Sequence, residues 1–153
     1  MQEAEHINRE HNRTLLLYHI VCPVKYRRKV IDQSISETIK QVCLDIEQTY
    51  EISFIEIGTD NDHVHFLVQG IPNMSVSKIV TVIKSITARE IFSQHGEVKR
   101  FLYGGKFWTS GYYANTVGLF ASKEVIQRYV KNQGKNYTQI YQNQLNLFGC
   151  FTN

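Results

Sequence analysis

Two histidines separated by one apolar residue, His63-Val64-His65, sit in a run from Thr59 to Val68 that alternates like a strand. Successive strand side chains point to opposite faces, so His63 and His65 share one face while Val64, Phe66 and Val68 take the other. Two imidazoles on one face make half of a metal site. The ordinary alternative is a pair of structural histidines. Farther along, Tyr129-Val130-Lys131-Asn132-Gln133 lies in a helical pattern, where Tyr129 and Gln133 at i and i+4 share a face. A phenol, an amide oxygen and a histidine pair are the parts needed for metal-assisted attack on a phosphodiester.

Tyr129 is one of nine tyrosines, so tyrosine content carries no weight by itself. Its bland role is to pack a helix onto the sheet beside Ile126 and Val130. Tyr137 and Tyr141 repeat the four-residue step, but they follow Gly134 and lack a glutamine at the next step.

Two further segments carry the argument on: His19-Ile20-Val21-Cys22-Pro23-Val24-Lys25-Tyr26-Arg27-Arg28-Lys29-Val30, and Phe107-Trp108-Thr109-Ser110-Gly111-Tyr112-Tyr113 followed by Thr116-Val117-Gly118. With the histidine pair and the Tyr-x-x-x-Gln spacing between about residues 14 and 133, the chain resembles the IS200/IS605 transposases. These are the Y1 branch of the HUH single-strand nucleases. The resemblance implies Tyr129 as nucleophile, His63, His65 and Gln133 as ligands of Mg²⁺ or Mn²⁺, and single-stranded DNA with hairpins as substrate. It also implies a homodimer whose sites are shared between subunits, the tyrosine helix swinging on glycine after the fourth strand. Gly118 stands there, followed by Leu119 where relatives often carry a second glycine.

Two neutral imidazoles and one neutral amide leave an ion's double charge undiminished, so a phosphodiester meets a full Lewis acid. Asp60 and Asp62 either hold the imidazole N–H groups or simply shape the turn. Attack by the phenolate leaves a 5′-phosphotyrosine and a free 3′-OH, so another 3′-OH can later rejoin the strand without ATP. A phenol with pKa near 10 is a poor nucleophile at neutral pH, and no general base is evident beside Tyr129.

These groups need a scaffold. Thr14 to Val21 reads as a strand apolar on both faces, hence central in a sheet, with Leu15, Leu17, His19 and Val21 together on one face. Pro23 ends it, and Lys25 to Lys29 form a basic turn. Ser34 and Glu37 match a capping box for a helix to about Thr49, with Ile35, Ile39, Val42 and Ile46 along one face. Ile52–Gly58 and His63–Gln69 are expected as an antiparallel hairpin across a turn at Thr59–Asp62. A second helix follows from Ser75 to about Ser93, with Val76, Ile79, Ile83 and Ile86 inward. Gly96 to Lys106 reads as loop and Tyr112 to Val117 as a fourth strand. Ser122 can cap a last helix that carries Tyr129 and ends at Gly134.

The order β-α-β-β-α-β predicts an α+β, ferredoxin-like split βαβ antiparallel sheet, two helices on one face and the other face available. One domain of 153 residues is expected, with a frayed polar segment 1–13 and a polar tail 135–153.

No run of about 18 apolar residues suggests a membrane span, and the polar start lacks a signal-peptide core, so a prokaryotic cytoplasmic location is expected. Cys22, Cys43 and Cys150 have no metal spacing and read as free thiols. The net charge of +3 divides unevenly. Residues 1–69 hold 7 Lys/Arg against 11 Asp/Glu, and residues 70–153 hold 10 against 3. A basic second half suits a polyanion, although an ordinary solvated surface looks the same. Lys25, Arg27, Arg28 and Lys29 around Tyr26 form the densest basic cluster and a candidate contact for a DNA backbone. Phe107, Trp108, Tyr112 and Tyr113 are candidates to stack unpaired bases, with core packing expected for at least two of them.

The rival function is a ferredoxin-like nucleic-acid-binding module without catalysis. It would want stacking aromatics on its central strands, where this chain has histidines. A domesticated relative that binds palindromes is the other alternative.

Overall fold

A computed structural model describes residues 5–118 and 138–142, apart from the side chain of Tyr103. In chain order the elements are β1 (Ile7–Asn8), β2 (Arg13–Thr14), β3 (Leu16–Pro23), α1 (Gln33–Thr49), β4 (Ser53–Thr59), β5 (His63–Gly70), α2 (Val76–Gln94), β6 (Tyr113–Thr116) and β7 (Thr138–Gln142). Five of the strands form one antiparallel sheet in the order β6-β3-β5-β4-β7. Without β7 this is the ferredoxin-like order, so β3 and β5 lie side by side in the interior. The α+β fold expected from the pattern is therefore observed.

Burial explains the layering. Val64, Phe66 and Val68 of β5 pair in register with Cys22, Ile20 and Tyr18 of β3 on one side. On the other side they meet Thr59, Ile57 and Phe54 of β4. A bulge between Phe54 and Glu56 lets Phe54 and Ile57 both face the helices. Against this face α1 lays Ile35, Ile39, Val42 and Ile46, and α2 lays Ile79, Val80, Ile83 and Ile91, all buried. Ser36 of α1 and Thr59 of β4 close the seam through a 3.0 Å hydroxyl contact.

Four expectations are corrected. The cap of α1 is Asp32, not Ser34: its carboxylate accepts from the Ile35 amide at 2.8 Å, and the helix begins at Gln33. An aspartate two residues earlier reaches the free N–H groups, so the Ser-x-x-Glu match lies inside the helix. The N-terminal segment is not wholly frayed, because β1 and β2 pair as a short hairpin. The tail contributes β7, which pairs with β4 through Glu56↔Gln142, Ile57↔Tyr141, Gly58↔Gln139 and Thr59↔Thr138. Its polar composition hid it, since an edge strand needs only backbone partners and one sheltered face. The stretch Gly96–Lys106 is not featureless either: it holds 3₁₀ turns at Gly96–Phe101 and Tyr103–Gly105.

Cys22 and Cys43 are free and fully buried, and burial pushes the Cys22 thiol up to about 12 against the opposing charge of Lys84. They behave as small core residues. Cys150 lies outside the described residues, as does the helix expected from Ser122 to Gly134. No helix among the described residues is long and apolar enough to cross a membrane.

Candidate metal centre

The strand β5 and the turn before it build the site. Asp60 donates its amide to the His63 carbonyl at 2.9 Å and closes the hairpin turn. The same turn is held from outside: Val24 donates to the Asp62 carbonyl at 2.8 Å and Ile31 to that of Asn61 at 2.9 Å. The turn is thus clamped to the end of β3 and to the segment entering α1. Its rigidity carries over to the first residue of β5, which is His63.

His63 and His65 project from one face as expected, with ring centroids 4.9 Å apart. Asp62 accepts a 2.6 Å hydrogen bond at Oδ1 from His63 Nδ1, and its Oδ2 accepts from Arg27 Nε at 3.1 Å. A proton on Nδ1 puts the lone pair on Nε2, so Asp62 fixes His63 in the ring orientation and tautomer that a candidate ligand needs. Burial opposes the Asp62 charge. The hydrogen bonds from His63 and Arg27, with the Arg27 charge, outweigh it and hold the carboxyl below the usual range. Of the two roles weighed for Asp62, orienting the imidazole is the one its geometry supports. Asp60, Asp62 and His63 also bring ligand atoms within 4.8 Å of one another, a carboxylate-bearing grouping beside the histidine pair.

The face that carries these groups was expected to stay open, and it does not. Leu17, His19, Glu56, His65, Leu67 and Gln69 are all buried on it. Gln69 donates to the Glu5 carbonyl at 2.8 Å, so the N-terminal segment forms part of the cover. His65 lies between Val21 of β3 and Gly58 of β4, the latter without a side chain. Burial, and then the charges of His19 and His63, bring the His65 imidazole down to about 3, so it stays neutral at physiological pH. Neutral imidazole is the form that binds a metal.

One residue of the site was missed. His19 of β3 stacks on His65 with ring centroids 5.3 Å apart, and its Nε2 lies 3.1 Å from His65 Nδ1. The signal was present: His19 shares the face of Leu17 and Val21, and the ferredoxin order sets the first strand beside the third. Burial lowers the His19 pKa, against a hydrogen bond to Asn115 that raises it.

Tyr129 and Gln133 lie outside the described residues, so their distance from the histidines is not part of this geometry. Gly118 is exposed, and a Cβ added there would meet nothing within 4 Å. The basic turn divides. Arg27 is tied to Asp62, while Lys25 approaches the Tyr26 ring at 5.1 Å. Arg28 and Lys29 line a 370 Å³ pocket with Asp32, Ile35, Glu97, Val98 and Phe101. Tyr26 and Arg27 have φ of 60° and 52°, a left-handed pair without glycine, and Tyr26 is 58% exposed. Of the four aromatics after residue 106, Phe107 and Trp108 are core and Tyr112 and Tyr113 are exposed. Trp108 donates its indole N–H to Thr87 at 2.9 Å.

Comparison with known proteins agrees with this scaffold. The family model described as "Transposase IS200 like" matches residues 12–133. The ISDra2 transposase TnpA of Deinococcus radiodurans is 30% identical over 118 residues, covering 77% of this chain and 84% of that protein. The transposase for insertion sequence element IS200 of Salmonella typhimurium is 31% identical over 123 residues, 80% of each chain. A crystal structure described as a transposase from Deinococcus radiodurans superposes with a TM-score of 0.68 at 26% identity, covering 83% of this chain and 97% of that one. A REP-associated tyrosine transposase bound to a REP hairpin shares the fold, with a TM-score of 0.55 at 10% identity over 84% of this chain and 74% of that one. The chain belongs to the IS200-like transposases of the Y1 family, enzymes that act on DNA by cleaving it.

Proposed function

We propose that this transposase cuts and rejoins single-stranded DNA through Tyr129, with Mg²⁺ or Mn²⁺ held by His63, His65 and Gln133. The observation that carries the reading is the paired imidazoles on one face of β5, with His63 aimed by Asp62. The donor set fits a divalent ion: both rings engage neighbours through Nδ1, which leaves Nε2 as the ligand atom of each. A bound ion would supply Lewis-acid stabilisation of the charge that grows on the phosphate.

The covalent step is an exchange at phosphorus. The Tyr129 oxygen forms a bond to phosphorus, the bond to the 3′-oxygen breaks, and that oxygen keeps the electron pair and gains a proton. The products are a 5′-phosphotyrosine and a free 3′-OH. Rejoining is the reverse, with another 3′-OH as nucleophile and the phenol as leaving group.

The substrate in this reading carries hairpins, as does the ligand of the REP-associated fold relative. Lys25, Arg28 and Lys29 beside the exposed Tyr26 offer contacts for its backbone, and Arg27 links that turn to the site through Asp62. The working unit is a homodimer in the prokaryotic cytoplasm, its sites shared between subunits and its tyrosine helices swinging on Gly118.

Incubation with hairpin-bearing single-stranded DNA and Mn²⁺, followed by a denaturing gel, tests the reaction. A protein–DNA adduct is expected, absent in EDTA and absent for Tyr129→Phe, which keeps hairpin binding. An adduct with the Phe variant would assign another nucleophile. A dimer of one Tyr129→Phe and one His63→Ala subunit tests the sharing: it cleaves if sites form between subunits. It stays inactive if each site lies within one.

A further inference from the structure

The segment between β3 and α1 is folded onto the turn that carries the site. Val24 and Ile31, at its two ends, donate to the Asp62 and Asn61 carbonyls at 2.8 and 2.9 Å. Between these anchors the chain turns back through Tyr26 and Arg27, with φ of 60° and 52°. Two consecutive left-handed residues without glycine are uncommon and strained, and a fold tolerates such strain where the placement of a side chain matters.

The side chain placed here is that of Arg27. Its Nε lies 3.1 Å from Asp62 Oδ2, and the other oxygen of the same carboxylate lies 2.6 Å from His63 Nδ1. A carboxylate only accepts, so both neighbours donate to it. The Arg27 side chain is nevertheless 59% exposed, against 16% for Asp62, so it is tied at Nε and still meets solvent beyond that contact. An ion pair this exposed adds little stability. A guanidinium carries five N–H donors, and Arg27 makes its side-chain bond to the described residues through Nε alone. The remaining donors match the oxygens of a phosphate. Lys25, Arg28 and Lys29 adjoin it in sequence, so a polyanion drawn to this turn meets Arg27 as well.

We propose that Arg27 is a bridging residue: with Nε it holds Asp62, and through it His63, and with its outer N–H groups it binds a backbone phosphate of the DNA substrate. The inference rests on the DNA and metal reading above and deepens it, since one residue of the DNA-binding turn then also supports a metal ligand. A lysine would carry the same charge on one nitrogen, whereas the guanidinium keeps the two contacts on separate atoms.

Two measurements on the full-length protein read the two contacts apart. In EDTA, binding of a fluorescent hairpin-bearing single-stranded oligonucleotide is followed against salt. Arg27→Gln should weaken binding and lower the slope of log affinity against log salt by about 0.7 to 0.9, the share of one phosphate. Without DNA, Mn²⁺ binding read by electron paramagnetic resonance should weaken about tenfold in the same variant, the low end for loss of an outer support. Removing a cation would by charge alone strengthen Mn²⁺ binding, so weakening reports the lost support of Asp62. Asp62→Asn should lower Mn²⁺ affinity and keep the salt slope, and adding Arg27→Gln to it should cost no further Mn²⁺ affinity. Arg27→Lys should restore the salt slope without the full Mn²⁺ affinity.

An unchanged salt slope in Arg27→Gln would remove the phosphate contact, and unchanged Mn²⁺ affinity would remove the support of His63. Either overturns the bridge. If the variants misfold, the wild type still decides: adding the oligonucleotide in EDTA should shift the Arg27 side-chain signals of ¹⁵N-labelled protein, and signals that stay in place overturn the proposal. Wild-type protein that takes up no Mn²⁺ would sink the metal reading and the inward half of the bridge with it. Normal wild-type uptake beside an indifferent Arg27→Gln would sink the bridge alone.

Discussion

One strand, β5, serves two faces of the sheet, and both are buried. Toward the helices it sends Val64, Phe66 and Val68, each with no exposed surface. Away from them it sends His63, His65, Leu67 and Gln69, of which only His63 keeps moderate exposure, 17% for its side chain. The helix-side residues are interchangeable in kind, because any apolar side chain of the right volume fills such a layer. The opposite residues are not, because each buried polar atom needs a particular partner: His65 has His19, and Gln69 has the Glu5 carbonyl. Burial alone therefore does not distinguish a core from a site. What distinguishes them is whether the buried groups must be satisfied one by one.

That contrast breaks down if histidine loss unfolds the protein, or if loss of a core residue spares the fold and stops cleavage. The largest effect is expected for His63→Ala. Metal-dependent cleavage should disappear and extra Mn²⁺ should not restore it, while circular dichroism reports an intact fold. On the other face, Phe66→Ala should cost about 3–5 kcal/mol of stability in a denaturant titration, through lost burial and the cavity left behind. At concentrations where that variant is still folded, its Mn²⁺ affinity should stay close to wild type.

A smaller effect is expected at Trp108, which anchors the segment before β6 from the helix side. Trp108→Phe keeps an aromatic ring but removes the indole donor to Thr87, and should cost about 1 kcal/mol. Thr87 retains its own bond to the Ile83 carbonyl at 2.6 Å, so its hydroxyl stays satisfied.

The smallest effect concerns a carboxylate at the edge of the helix layer. Glu47 accepts from the Phe54 amide at 2.7 Å, yet burial raises its pKa more than that bond lowers it. A raised carboxyl binds its proton more tightly in the folded state, so stability falls as pH climbs from the ordinary carboxyl value through the raised folded one. Glu47→Gln should thus be slightly more stable than wild type at pH 7. The gap should close as pH drops through the raised Glu47 value, a trend that thermal melts at several pH values would read. A gap that widens on acidification would mean the Phe54 bond dominates.

Much of this molecule follows from local pattern. Period-two alternation from His63 to Val68 is enough to put both imidazoles on one face, because strand geometry leaves no other arrangement. Helical spacing of Ile35, Ile39, Val42 and Ile46 likewise names the buried stripe of α1, and the element order names the ferredoxin sheet. Tyr129 and Gln133, by contrast, rest on spacing and family membership, with their helix outside the described residues. What no local pattern could supply is which polar groups meet across the sheet. His19 and His65 are 46 residues apart, and Asn115 lies on a third strand. Their contact exists because β3 is inserted between β5 and β6, a register set by the packing of Ile20, Phe66 and the helices on the other face. Strand β7 shows the same limit, since its pairing uses backbone groups that every residue carries. The amino-acid types determined which side chains share a face. The tertiary structure alone decided their neighbours, because cross-strand contacts follow from sheet order and register rather than from distance along the chain.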